Sequence, residues 1–254
     1  MKAMILAAGL GTRLRPLTAD RPKALVTVAG QTMLQIALKR LRTFGVREVM
    51  INTHYRAEMI QDYLDAHDNF GISIEISREE ILLDTGGGLK RAAWFFLRGD
   101  SLDEPFILHN VDVISTIDLA RMVQFHVEQD ALASLAVQDR VTSRYLLFDV
   151  DGRLCGRRTR SGAKKLVGSP QDVLIQSAGK VNPLAFSGIH VISPRLLTKL
   201  TEEGAFSIIS AYLRLAAQQE KIVAFRADQF YWRDLGRSED LMKAESDLAA
   251  GIYK

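Results

Sequence analysis

Residues 1–18, MKAMILAAGLGTRLRPLT, join an apolar run of strand length to a glycine turn carrying Arg13, Arg15 and Pro16. Lys2 to Ala7 reads as a buried strand, because a short apolar run bounded by turn residues fits a strand flanked on both faces. Two familiar nucleotide loops fail on residue chemistry. A Walker A loop requires Gly-x-x-x-x-Gly-Lys-Ser/Thr, and neither Gly9 nor Gly11 begins one. A dinucleotide fingerprint requires a third glycine where Leu14 stands, and Pro16 interrupts an immediate helix. What remains is a strand, a glycine turn, Arg13 and, after Pro22, Lys23. Glycine lets backbone N–H groups approach phosphate closely, arginine clamps phosphate oxygens bidentately, and lysine adds a compact cation.

Working outward, strand-like and helix-like segments alternate. Leu34, Ala37, Leu38, Leu41 and Phe44 share one helical face within Thr32–Phe44, and Gly45 follows as a C-cap. Glu48 to Asn52 is a second strand. Met59, Ile60, Tyr63 and Leu64 mark a helix, and Ile72 to Ile76 another strand. A Gly86-Gly87-Gly88 loop leads into a helix over Leu89–Leu97, and Pro105 to His109 is again a strand. Ser115 and Asp118 suggest a capping box before a helix bearing Leu119, Met122, Val123 and His126. Leu132 to Val137 completes a βαβα rhythm. That rhythm predicts an α/β fold: a Rossmann-like, mostly parallel sheet with helices on both faces, binding its ligand beyond the carboxyl ends of the strands.

The rhythm changes near residue 140. Tyr145 to Cys155 reads as a hairpin turning at Asp151-Gly152. Gly156 to Lys165 (GRRTRSGAKK) reads as a solvated polar loop. Phe186 to Ile192 is a strand, Pro194 starts a helix, and Ser207 to Ala217 is an amphipathic helix. Ile222 to Phe225 and Phe230 to Trp232 are strands, and a helix spans Arg237 to Ala249. The expected organisation is one domain, with residues 1–140 forming a nucleotide-binding part and 141–254 a small β-rich part.

Bulk properties narrow the function. The 254 residues are 47% hydrophobic and 25% charged, with a net charge of +3. A mildly basic chain suits an anionic substrate without arguing for nucleic acid. Arg157, Arg158, Arg160, Lys164 and Lys165 could face RNA, but they lack an interleaved aromatic platform. Cys155 is the only cysteine, which excludes an internal disulfide and a cysteine-based metal cluster. No signal peptide or apolar run of membrane-spanning length is evident. A cytoplasmic protein with no membrane partner is the expectation, as monomer or homodimer.

The segment LAAGLGTRLRPLT together with RPKALVTVAG (residues 21–30) resembles the signature of the sugar-1-phosphate nucleotidyltransferases, or nucleotide-sugar pyrophosphorylases. The resemblance implies a glycosyltransferase-A-like fold and transfer of a nucleotidyl group from an NTP to a sugar 1-phosphate, with Mg²⁺ and release of pyrophosphate. It implies that Arg13 steadies the pyrophosphate and Lys23 contacts the α-phosphate or sugar phosphate. Leu6, Ala8, Gly9, Gly11 and Thr12 would hold the nucleotide. Leu83-Asp84-Thr85-Gly86-Gly87-Gly88 resembles the base-recognition loop, with Asp84, Thr85 and Gly86 as contacts. Asp112, in His109-Asn110-Val111-Asp112, and Asp234, in Tyr231-Trp232-Arg233-Asp234-Leu235-Gly236, would hold the metal. Val111 stands where the family usually has glycine.

Ser187 and Gly188 resemble the sugar-facing strand. Arg144 occupies a place where many relatives carry glycine, which suggests a differently shaped or more acidic sugar phosphate. Within the family, the motifs resemble most the N-acetylmuramate-1-phosphate uridylyltransferase group; mannose-1-phosphate guanylyltransferases are the second reading, giving UTP or GTP as the nucleotide. A non-catalytic nucleotide-sugar-binding regulatory protein is the reading from another class. His109, near the site, is a candidate for orienting a ligand. His126 reads as a core residue, and Cys155 as inert.

Overall fold

The computed structural model describes residues 1–98, 103–159, 173–174 and 180–252. Arg160–Lys165 of the polar segment therefore lie outside the described residues, whereas Gly156–Thr159 belong to a strand and not to a loop.

The strands, in chain order, are β1 (Lys2–Leu6), β2 (Thr27–Val28), β3 (Gln31–Thr32), β4 (Glu48–Thr53), β5 (Ser73–Arg78), β6 (Phe106–Asn110), β7 (Val113–Ser115), β8 (Ala133–Gln138), β9 (Arg144–Phe148), β10 (Leu154–Thr159), β11 (Val173–Leu174), β12 (Asn182–Ile192), β13 (Ile222–Arg226) and β14 (Trp232–Asp234). The α-helices are α1 (Met33–Thr43), α2 (Ala57–Asp65), α3 (Asp84–Arg91), α4 (Ala93–Phe96), α5 (Leu119–Glu128), α6 (Ile208–Ala217) and α7 (Ser238–Ala249).

The main sheet runs in the order β11-β10-β9-β12-β6-β1-β4-β5, and β8 joins β12 to β13. Strands β6, β1, β4 and β5 are parallel, as the alternating pattern requires. β12 pairs antiparallel with β6, β8 and β9. The sheet is thus mixed: a parallel half to which the later strands add an antiparallel extension.

Side chains alternate across this sheet. Ala3, Ile5, Val49, Ile51 and Ile107 face one core, shared with Leu38 and Leu41 of α1, Ile60 of α2, Met122 of α5 and Leu241 of α7. Met4, Met50, Phe106 and Leu108 face the other, with Leu89 of α3, Phe95 of α4 and Tyr212 of α6. β1, β4 and β6 are covered on both sides, which explains their continuous apolar runs.

Local signals were read with mixed success. Thr32 caps α1 by accepting from the Gln35 N–H, and Gly45 follows Phe44 at a φ of 79°. The capping box at Ser115 does not form. Asp118 itself is the N-cap, accepting from the Arg121 N–H at 2.9 Å, while Ser115 is a buried strand residue. The stretch beginning at Pro194 is a 3₁₀ turn, Pro194–Lys199, capped by Ser193. The final strand starts two residues later than expected, at Trp232, and reaches Asp234.

Three histidines are buried in these cores. His126 Nδ1 meets Ser134 Oγ at 3.0 Å, and His190 Nδ1 meets the Tyr212 hydroxyl at 2.9 Å. His109 Nδ1 lies 2.7 Å from the Asn110 carbonyl oxygen. Burial lowers His109 and His126 to about 4 and His190 to about 3. A base with a depressed folded pKa stabilises above its unfolded value and loses that contribution as pH falls toward the folded one. Unfolding stability is therefore expected to drop between about pH 6.5 and 4, by up to ~1.4 kcal/mol per pH unit for each histidine. Urea titrations at pH 7.5, 6 and 5 measure this, and His126→Gln is expected to flatten the slope by about one proton's worth.

Candidate active site

The end of β1 opens into the turn at Gly9 and Gly11. Gly11 has a φ of +65°, and its carbonyl accepts from Leu14 N–H and from Thr18 Oγ1, both at 2.9 Å. A Cβ there would lie 2.9 Å from Thr18 Cγ2, so both backbone conformation and space require glycine. The turn continues through the 3₁₀ segment Thr12–Leu14, which buries Leu14 and leaves Arg13 on the outer side. Among the described residues no acceptor takes the N–H of Ala8, Gly9 or Thr12. Such free, clustered N–H groups suit an anion.

A cleft of about 420 Å³ lies over the carboxyl ends of β1 and β6. Leu6, Ala7, Ala8, Leu82 and Val111 form much of its apolar wall; Asn52, Asp84, Thr85, Asn110, Lys23 and Asp112 supply polar groups. Val111 leaves the local path intact, since its N–H bonds the Leu6 carbonyl at 3.2 Å and its side chain packs into the core.

Four charged groups meet at the mouth. Lys23, buried after Pro22, pairs with Asp112 through Nζ and Oδ2. β7 and β14 then form a short antiparallel ladder in which Asp234 stands opposite Val113, so Asp112 and Asp234 become neighbours. The Leu235 N–H bonds the Asp112 carbonyl at 2.7 Å, and the Gly236 N–H bonds Asp234 Oδ1 at 2.6 Å. The Arg13 guanidinium rests against Gly236. A Cβ at that glycine would come within 2.6 Å of both Arg13 Nη2 and Asp234 Oδ1. Burial, then the charge of Asp112, raises Asp234 above the usual carboxylate range; the Gly236 N–H, Lys23 and Arg13 oppose that rise.

The two carboxylates fit a divalent cation. Magnesium takes one or two carboxylates plus phosphate and water oxygens. Among the described residues no third ligating side chain joins them. Their shared negative field is already met by Lys23 and Arg13, which is the behaviour expected of a cation site.

The base loop differs from the sequence expectation. Its glycines lie inside α3, not before it. The Gly86 N–H is given to the Phe206 carbonyl at 2.8 Å, so the base contact expected of Gly86 has no free donor. A Cβ at Gly86 would lie 2.9 Å from that carbonyl, and one at Gly87 2.5 Å from the Gly204 carbonyl. The glycines serve helix packing against residues 204–206. Asp84 and Thr85 do line the cleft, although the Thr85 hydroxyl accepts from the Ile208 N–H at the start of α6.

Ser187 and Gly188 sit where the β12 register shifts against β8. Gly188 has a φ of +73°, and a Cβ would lie 2.8 Å from Asn110 Nδ2. The glycine therefore lets β12 pass close behind the site. Arg144 is exposed at the start of β9, and among the described residues no contact joins it to the four charges. His109 is fully buried in β6, neutral by its lowered pKa, and does not line the cleft. Cys155 is buried, its thiol pushed up by burial, and donates to the Leu147 carbonyl.

Sequence reading missed Asn52 and Glu79. Asn52 Oδ1 accepts from the Ala7 N–H at 2.8 Å, and its Nδ2 donates to Glu79 Oε1 at 2.7 Å. Glu79 Oε2 accepts from the Leu83 N–H at 2.9 Å. This buried chain ties the end of β1 to the loop before α3. Asparagine at the carboxyl end of a buried strand was the available signal. No helix among the described residues is long and apolar enough to cross a membrane.

A family model described as Nucleotidyl transferase matches residues 2–251. The chain is 33% identical to an N-acetylmuramate alpha-1-phosphate uridylyltransferase of Caulobacter vibrioides, over 97% of this chain and 96% of that protein. It is 33% identical to a probable mannose-1-phosphate guanylyltransferase of Oryza sativa, but spans only 62% of that relative's length. Its fold matches a UDP-glucose pyrophosphorylase complexed with UDP-glucose at a TM-score of 0.76 and 17% identity, covering 98% of each chain. HddC from Yersinia pseudotuberculosis, solved with GMP-PN, matches at 0.73 and 22%, over 97% of this chain and 99% of that one.

Asn52→Ala leaves the Ala7 N–H and part of the Glu79 carboxylate buried without partners. Denaturant unfolding is expected to show a loss of about 2–4 kcal/mol. A loss below ~1 kcal/mol would mean the network carries little.

Proposed function

We propose, from the premise that this chain belongs to the nucleotidyl transferase family, that it transfers a nucleotidyl group from a nucleoside triphosphate to a sugar 1-phosphate and releases pyrophosphate. The observation that carries this reading is the meeting of Arg13, Lys23, Asp112 and Asp234 beside one apolar-walled cleft. They come from separated stretches of chain and share no structural purpose that an uncharged core would not serve more cheaply.

The reaction needs alignment of two polyanions more than it needs a base. The attacking oxygen belongs to a phosphate monoester whose second pKa is about 6, so it is ionised at neutral pH. The buried histidines and Cys155 stand aside accordingly. Ala8, Gly9 and Thr12 offer N–H groups to the triphosphate. Arg13, at the outer rim, neutralises charge growing on the departing pyrophosphate. Lys23, released from Asp112, turns to the α-phosphate or the sugar phosphate. Asp112 and Asp234 would hold Mg²⁺, which supplies Lewis-acid neutralisation of phosphate oxygens. The cleft wall of Leu6, Ala7, Ala8 and Val111 limits water and strengthens each of these interactions.

Residues 1–140 would carry most of the nucleotide side, and 141–254 the sugar side and Asp234. Uridylyl transfer to an N-acetylmuramate 1-phosphate-like sugar is the favoured pair, supported by near full-length correspondence with the Caulobacter relative. Guanylyl transfer to mannose 1-phosphate is the second reading. A cytoplasmic setting fits both.

Pyrophosphate release, measured for four NTPs against several sugar 1-phosphates with Mg²⁺, tests the assignment. Arg13→Ala is expected to lower kcat by about 10²–10³ with the fold intact. Gly236→Ala is expected to act on the same step by displacing the guanidinium. Wild-type turnover by Arg13→Ala would reject the role given to that residue. Asp234 has a raised pKa, so its favourable contribution is present below the usual carboxylate range and is lost as pH rises through the raised value. Asp234→Asn is therefore expected to raise the Tm of the ligand-free protein at neutral pH while lowering turnover by ~10² or more.

A further inference from the structure

Arg140 follows β8 and is half-buried. Its guanidinium lies 3.6 Å from the centre of the Trp232 ring. Nη2 donates to the Phe186 carbonyl at 2.8 Å, and buried Nε has no partner. The Trp232 indole N–H is itself held by the Ser187 carbonyl at 2.6 Å. Two consecutive carbonyls of β12 thus fix the stacked pair, and little rotational freedom remains to be lost on binding.

Among the described residues no carboxylate lies within ion-pair distance of Arg140. The nearby acids are committed: Asp228 binds Arg226 at 2.7 Å and the Asp139 N–H at 2.6 Å, and Asp234 receives the Gly236 N–H beside Arg13. Burial already disfavours the charged form of Arg140, with Asp234 and Tyr145 as the main opposing influences. A half-buried cation with one hydrogen bond, and no carboxylate in direct contact with it among the described residues, is costly unless an anion arrives. Ser187 adds a fully buried hydroxyl without a partner in the same stretch of β12.

The placement indicates which anion. Trp232 and Asp234 are two residues apart on β14 and share a face, about 7 Å along the strand. Arg140, stacked on the Trp232 ring, therefore lies against the strand that carries the metal-site carboxylate, near enough for the charge of Asp234 to act on it. A sugar with its 1-phosphate at Asp112 and Asp234 would turn a ring substituent toward Arg140.

We propose that Arg140 is the receptor for a carboxylate carried on the ring of the acceptor sugar 1-phosphate. This rests on the nucleotidyl-transfer reading and deepens it. It also moves the acidic-sugar expectation from Arg144, which is exposed, to an arginine that is stacked and oriented. A planar guanidinium reads a carboxylate bidentately, which a lysine at this place could not reproduce.

The test is steady-state pyrophosphate release by the full chain with Mg²⁺ and UTP. N-acetylmuramate 1-phosphate is compared with N-acetylglucosamine 1-phosphate, which lacks the lactyl carboxylate. Arg140→Gln, which keeps a donor for the Phe186 carbonyl, is expected to raise KM for the acidic acceptor by about 10–100-fold. KM for the neutral acceptor is expected to change by less than about threefold, and kcat by little for either. Arg140→Lys is expected to restore part of the affinity for the acidic acceptor only. Equal losses with both acceptors, or a wild type that favours the neutral one, would overturn the proposal. Turnover confined to neutral sugars with any NTP removes the proposal and leaves nucleotidyl transfer standing; no pyrophosphate release with any pair removes both.

Discussion

Two carboxylates that repel each other are held side by side, and much of the surrounding structure exists to make that tolerable. Asp112 follows β6 and Asp234 ends β14; only the short β7–β14 ladder brings them together. Lys23 pairs with the first, and Arg13 lies beside the second. Gly236 and the bend at Gly188 give the space this requires, because side chains there would collide with Arg13, Asp234 or Asn110. The arrangement resembles a site prepared for cationic and polyanionic guests better than one settled for stability, since a buried ion cluster is seldom worth its desolvation cost.

The scaffold explains why these groups hold still. β1, β4 and β6 are covered on both faces, with Met4 and Met50 on one core and Ile5 and Ile51 on the other. Their carboxyl ends are consequently fixed edges from which loops project. Asn52 and Glu79 fasten the loop before α3 to the end of β1. Backbone N–H groups mounted on such an edge are held in place, and fixed dipoles are most effective in a site that limits water.

Much of this was legible in the chain. The alternation of apolar runs with helical periodicity placed the parallel strands and both helical layers, because burial on two faces leaves a plain compositional trace. The opening glycine turn and its cations were legible because few residue types tolerate that backbone and that chemistry together. The antiparallel extension was harder to read: β12 changes partners along its length, and its bend at Gly188 is set by contact with Asn110. The glycines of α3 were misread as a loop, since their packing partner at residues 204–206 is more than a hundred positions away. Arg140 left no local signal, for its meaning comes from Trp232 and Phe186.

The joint between α3 and α6 carries a practical corollary for chimeras. The Phe206 carbonyl takes N–H groups from both Gly86 and Gly87, and the Thr85 hydroxyl receives the first N–H of α6. Residues 83–88 and 204–208 therefore behave as one transplantable cassette. Replacing the first stretch alone with residues larger than glycine would jam helix against ring and strand its donors, whereas exchanging both keeps the seam closed.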